Sequence, residues 1–368
     1  TRGYIQQKDG TIWIRGLGVL ARYLEKEKKF QKVENTYHNE QSISFEIIFD
    51  FFEDREESIW LATSNNGIYR FAPASQFFTN VPHINRVRNT PGTGSILSII
   101  RTREGNMLVG SWSDGLYNYD KDFNVIPLNM KGLDEKKNAW MWSMAPSRDS
   151  NHIWMGAQPG IYRLNQDTRS VEYFNPPALK NRTLRQVVED RMGNLWIGTQ
   201  NIGLFKWTAS KGKKKFDDGI SLFSALPNCQ ILKIFMDNRG IIWVGTSAYG
   251  VYAIDPATDK VILHLGMDEP EDRKLVWHSA CGITQYDDST VVIGAGGVHF
   301  FNFNQQKLTK TIPTPQSVPG YITALERDRQ GYIWVSSTSG IFRVNPRNGI
   351  FIHFDRIDGI ANDHFIEA

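Results

Sequence analysis

Down this chain short apolar runs alternate with polar, glycine-bearing turns, and no stretch keeps a helical period for long. The clearest instance is residues 189–205, Glu-Asp-Arg-Met-Gly-Asn-Leu-Trp-Ile-Gly-Thr-Gln-Asn-Ile-Gly-Leu-Phe. Asp190 to Asn194 predicts a turn: the carboxylate can accept nearby backbone N–H groups, and Gly193 tolerates positive φ. Leu195, Trp196 and Ile197 predict a short strand centred on a large aromatic. Gly198 leaves room for close approach, Thr199 to Asn201 form a polar turn, and Gly203 opens a second strand through Leu204 and Phe205. The stretch therefore reads as a β-hairpin.

The same phrase recurs along the chain. Its anchors are Trp13, Trp60, Leu108, Trp154, Trp196, Trp243, Val292 and Trp334, roughly forty to fifty residues apart, the period of a propeller blade. Leu108 and Val292 are placed by spacing and flanking glycines alone. An apolar run precedes each turn, as at Ile96–Ile100 and Ile231–Phe235, and one more short strand follows, as at Val171–Phe174. That makes four strands per repeat. A sheet so small cannot bury both faces, so neighbours must stack and the row must close. The expected fold is all-β, a β-propeller of four-stranded antiparallel blades filling residues 1–368. Eight copies fit either one eight-bladed ring or a segment overlapping seven-bladed rings. The chain starts at Thr1 without Met or leader and stops in mid-phrase at Ala368, and Asn362–Ala368 resembles the inner strand of a ninth copy. The expectation is a segment of a longer protein, cut at both ends.

Composition narrows the chemistry. Hydrophobic residues make up 40% and charged residues 22%, which suits a core-forming soluble chain, and aromatics reach 12% with eleven Trp, a cue for repeated blades. A net charge of +3 gives no support for a nucleic-acid surface. Cys229 and Cys281 are too few for a disulfide framework or a zinc site; they precede inner strands of neighbouring blades, and two buried thiols are expected over a bond. The eight histidines show no metal-ligand spacing, and no calcium loop, nucleophile elbow or phosphate-cradling glycine loop is present, so neither metal nor cofactor is expected.

The pattern Asp-x-x-Gly-x-x-Trp-x-Gly-Thr followed by Gly-Leu/Ile-aromatic resembles the two-component regulator propeller repeat, and the likeness covers essentially the whole chain. The tail from Asp358 to Phe365 is similar to the stretch that precedes the last blade in that family. The resemblance implies a non-catalytic sensor segment on the periplasmic side of a hybrid two-component histidine kinase. It also implies a homodimer formed through the parent chain, and membrane contact only through a segment outside this one.

If strands run outward from the axis, the second-to-third turns share one face with the loops leading into the next inner strand. The Asp turns lie on the other face. Variable loops on a rigid scaffold are where binding residues collect. Trp112, Trp140, Trp142, Tyr249, Trp277, His278 and Asn201 map to that face, and flat rings beside polar groups suit an oligosaccharide. For any single ring, packing between blades is the competing reading. The Trp anchors are expected in the core, and Asp9, Asp54, Asp190, Asp237 and Asp328 are expected as turn caps rather than catalytic acids. Lys211–Lys215 and Glu25–Lys29 are expected as solvated outer loops. The competing functions are a scaffold for dimerisation or protein contact without its own ligand, and a propeller lyase or glycosidase. The last would need a close carboxylate pair, which turn caps do not provide.

Overall fold

In the computed structural model the residues described are 3–8, 10–25, 28–32, 47–55, 58–64, 67–71, 78, 80–81, 84–85, 90–91, 95–112, 115–133, 140–209, 219–315, 321–354, 360 and 365. Asp9, Lys211–Lys215 and most of the 358–368 tail lie outside them. The chain forms two compact units. One comprises Thr1–Asn80, Ser339–Arg343 and Ile352–His364, the other Val81–Thr338, Val344–Phe351 and Phe365–Ala368.

The first unit holds the first blade, Gly3–Gln6, Ile12–Gly16, Val19–Leu24 and Lys29–Lys32 in sheet order, and the three described strands of the second, which span 48–71. In the second unit, blades three to seven are complete four-stranded antiparallel sheets whose spatial order follows the chain. Their inner strands are Ile96–Arg101, Met141–Pro146, Leu184–Glu189, Ile231–Met236 and Gly282–Gln285. Ile322–Arg327 and Ile333–Ser337 begin the eighth blade as an antiparallel pair. Successive inner strands of this unit lie side by side, from the third blade to the eighth. This is the β-propeller arrangement expected from the repeat, and the described residues include no α-helix, only 3-10 turns such as Pro177–Leu179.

The repeat phrase acquires a physical meaning in the Asp turns. In the fifth blade Asp190 accepts the backbone N–H groups of Met192 and Asn194, both at 2.9 Å, and the indole N–H of Trp196 at 2.9 Å. The same six-residue latch joins Trp60 to Asp54 (2.7 Å), Trp243 to Asp237 (3.0 Å) and Trp334 to Asp328 (2.8 Å). In the first blade Gln7 takes the carboxylate's place and bonds Trp13 at 2.7 Å. In the fourth, Ser147 stands at the turn, and the next blade's Glu189 accepts from both Ser147 (2.6 Å) and Trp154 (2.7 Å). The core expectation for the anchors is met by Trp13, Trp154, Trp196 and Trp243, whereas Trp60 and Trp334 are half-buried.

In the third to seventh blades the glycine two places after the anchor marks where the next blade crosses, whereas Ala62 and Ser336 stand there in the second and eighth. A Cβ added at Gly110 would come within 2.8 Å of the Met141 carbonyl oxygen, at Gly156 within 2.6 Å of Leu184, and at Gly198 within 2.7 Å of the Ile231 side chain.

The turn carboxylates also tie stability to acid. Burial alone would raise the Asp328 pKa, but hydrogen bonds from the Trp334 indole and from the Tyr332, Gln330 and Gly331 backbone outweigh it. They hold it below the ordinary 3.8. Asp149 and Asp287 are lowered in the same way, hydrogen bonds again overcoming burial. A depressed folded pKa contributes stability above the unfolded value and loses it as pH falls through the folded one. Urea midpoints should therefore hold steady down to about pH 5 and drop below pH 3.8. A midpoint that rises on acidification would contradict this assignment.

Candidate functional site

Each second-to-third turn is stitched by backbone hydrogen bonds to the segments leading into inner strands. Gln200 N–H reaches the Thr183 carbonyl (3.0 Å), Gly203 reaches Cys229 (3.1 Å) and Gly250 reaches His278 (2.7 Å). Trp112 pairs with Trp140 in an antiparallel bridge. The two loop sets thus share one face of the second unit, and the loop aromatics lie there.

Trp112, Trp140 and Trp142 come together. Trp112 is 44% exposed and Trp140 36%, so both indoles present ring surface to solvent. Trp142 is only 7% exposed; its ring lies 5.5 Å from that of Trp112, tilted by 41°. The Arg185 guanidinium sits over the Trp142 ring, 5.0 Å from its centroid. Arg185 is 3% exposed and donates to Gln200 Oε1 at 3.0 Å. The Trp142 indole N–H is buried without a hydrogen-bond partner among the described residues. Residues Trp142 and Arg185 correspond: each is the extra residue of a β-bulge, between Met141 and Ser143 and between Leu184 and Gln186. Sequence reading missed Arg185 and Gln200. The available signal was a charged side chain at a place where sister copies carry Leu97 and Leu232.

The remaining candidates form no single cluster with these. The Tyr249 ring is exposed, and its carbonyl oxygen accepts from His264 Nε2 at 2.8 Å. Trp277 packs edge-on against Tyr321, 4.7 Å between centroids, and closely covers Gly296, where an added Cβ would meet the indole at 2.5 Å. That ring has a packing role. His278 and Asn201 are exposed. Cys229 and Cys281 are both buried thiols not joined in a disulfide, and burial pushes Cys229 up to about 11, so it stays protonated. Burial likewise lowers His299 to about 4, and it rests neutral beside the Ala295 carbonyl.

Residues 225–248, which hold the sixth blade's inner strand, Asp turn and Trp243, match the family described as two component regulator propeller. The sixth copy is thus a two component regulator propeller repeat. The match spans that copy alone. Among solved structures this propeller is similar to the extracellular domain of BT4673 from B. thetaiotaomicron, described in one structure as a hybrid two component system. There the identity is 20%, the TM-score 0.60, and the match covers 96% of this chain and 48% of that one. A second structure of that domain, described as a one component system, gives 20% identity and a TM-score of 0.58 over the same shares. The chain thus spans about half the length of the structures it matches. No curated protein matches it. Among the described residues no helix is long and apolar enough to cross a membrane.

Proposed function

We propose that this propeller is the sensing segment of a periplasmic two-component sensor and that it recognises an oligosaccharide on its loop face. The observation that carries the reading is the bridged pair of exposed indoles, Trp112 and Trp140, with Trp112 packed on the buried Trp142 and its Arg185. Two open aromatic surfaces suit the C–H faces of a sugar, and the Arg185–Gln200 pair behind Trp142 adds polar groups for its hydroxyls. A buried N–H without a partner costs about 1–3 kcal/mol, and sites that bind ligands carry such costs more readily than plain cores do. Binding would act by population shift, favouring one arrangement of the parent homodimer and so biasing an attached kinase. Like the sugar, the dimer and the kinase are part of the proposal.

Calorimetric titration of plant and host oligosaccharides tests it. A sugar that binds the wild type should lose about tenfold or more in affinity to a Trp112→Ala/Trp140→Ala variant, whose changed side chains are exposed. Equal affinity for both proteins would remove the site. No binding by any sugar, together with a stable dimer in light scattering, would favour the scaffold reading.

A further inference from the structure

The loop face carries another exposed ring, at the position in the eighth blade that Trp140 holds in the fourth. Trp140 and Tyr321 each stand immediately before an inner strand, Met141–Pro146 and Ile322–Arg327. Each carbonyl oxygen accepts a backbone N–H from the second-to-third turn of its own blade: Gln158 reaches Trp140 at 3.2 Å and Thr338 reaches Tyr321 at 3.3 Å. The register agrees, since Met141 pairs with Ala157 and Ile322 with Ser337. The same turn bond ends on Ser95, Thr183 and Gln230 in the third, fifth and sixth blades, so the repeat itself does not require an aromatic there.

Tyr321 is 57% exposed, more than Trp112 or Trp140. It rests on the half-buried Trp277 at 4.7 Å, as Trp112 rests on Trp142 at 5.5 Å. Trp277 is held by a shortened turn. In the seventh blade Ala295 N–H closes on the Gly297 carbonyl, whereas Thr199 closes on Gly203 and Thr246 on Gly250, two residues further along. The indole lies over Gly296, where any side chain would displace it. An exposed ring set on a fixed one is therefore built twice on this face, and the exposed His278 follows Trp277 in the chain as a polar neighbour.

We propose that Tyr321, backed by Trp277, is a second sugar-binding ring and that the ligand is an extended glycan chain rather than a mono- or disaccharide. The inference rests on the sugar reading above and adds the length of the ligand to it. Three whole blades separate Trp140 from Tyr321, and packed sheets stand about 10 Å apart, so no single sugar ring touches both platforms. A chain lying along the loop face meets the Trp112–Trp140 pair with one part and Tyr321 with another, and each ring covers the C–H face of one sugar unit.

Calorimetric titration of the full chain with fragments of xylan, arabinan and pectic galactan, graded from disaccharide to decasaccharide, tests it. Affinity should rise with length in the series that binds. Tyr321→Ala should weaken the longest fragment about threefold to tenfold, the worth of one aromatic platform. The shortest fragment that binds should be unaffected, and Tyr321→Phe should keep most of the gain with length. Trp112→Ala/Trp140→Ala should weaken fragments of every length. If Tyr321→Ala binds the longest fragment as the wild type does, or loses affinity equally at all lengths, this proposal is overturned and the sugar reading stands. If no fragment binds at any length, the sugar reading fails and this proposal fails with it.

Discussion

Asp190→Ala should lower the unfolding free energy by about 4 kcal/mol, measured by urea denaturation at neutral pH, while Asp190→Asn should lose about half as much. The carboxylate is buried and fully engaged. It accepts from two backbone N–H groups, from Asn194 Nδ2 at 2.9 Å and from the fully buried Trp196 indole. Alanine leaves several buried donors unpaired at about 1–3 kcal/mol each, partly relieved by water. Asparagine keeps one oxygen acceptor. The effect should spread beyond the turn, because the Trp196 ring also carries Lys206, 4.9 Å from its centroid, and Lys206 is bonded in turn to the Pro256 carbonyl and to Asp259 of the next blade. A loss below about 1 kcal/mol would mean that the turn tolerates an apolar cap.

Gly245→Ala should cost about 3 kcal/mol or more in the same measurement. The added methyl would overlap the carbonyl oxygen of Ala280, part of the backbone leading into the seventh blade. That backbone has little freedom to retreat, since Ala280 N–H is bonded to the Thr246 carbonyl at 3.1 Å and Thr246 Oγ1 to Gly250 at 2.9 Å. Overpacking against a fixed backbone is at the upper end of such penalties. Gly105→Ala is the control. Its φ is +87° but nothing lies within 4 Å, so only the backbone strain of about 1 kcal/mol is expected. Equal costs at the two positions would show that conformation, not the crossing of the next blade, explains the glycine.

The sequence made the architecture readable because the latch is local. An Asp six residues before a Trp and a Gly two after it are close enough in the chain to be seen as one phrase. The exceptions were less readable because they depend on contacts between blades. The carboxylate for Trp154 comes from Glu189, thirty-five residues away in the next blade, and Trp13 is bonded by Gln7, a neutral amide where sister turns carry Asp. Leu108 was placed correctly by spacing, opposite Asn118, but nothing in its own repeat shows that the neighbours leave a cleft beside it. Trp112 and Tyr249 lie in the second-to-third turns where the sequence puts them, but Trp142 lies within the inner strand Met141–Pro146 rather than before it. Their roles were not legible, because a bulge in the inner strand decides that Trp142 is buried under Arg185 while Trp112 and Trp140 stay open.

The blades rest on one repeated device, the indole held by the carboxylate of its own turn. A double-mutant cycle on unfolding free energy, pairing Asp190→Ala with Trp196→Phe, tests that device most directly. Coupling of about 1.5 kcal/mol or more is predicted, since neither partner can serve its purpose without the other. Effects that add to within about 0.5 kcal/mol would contradict the account.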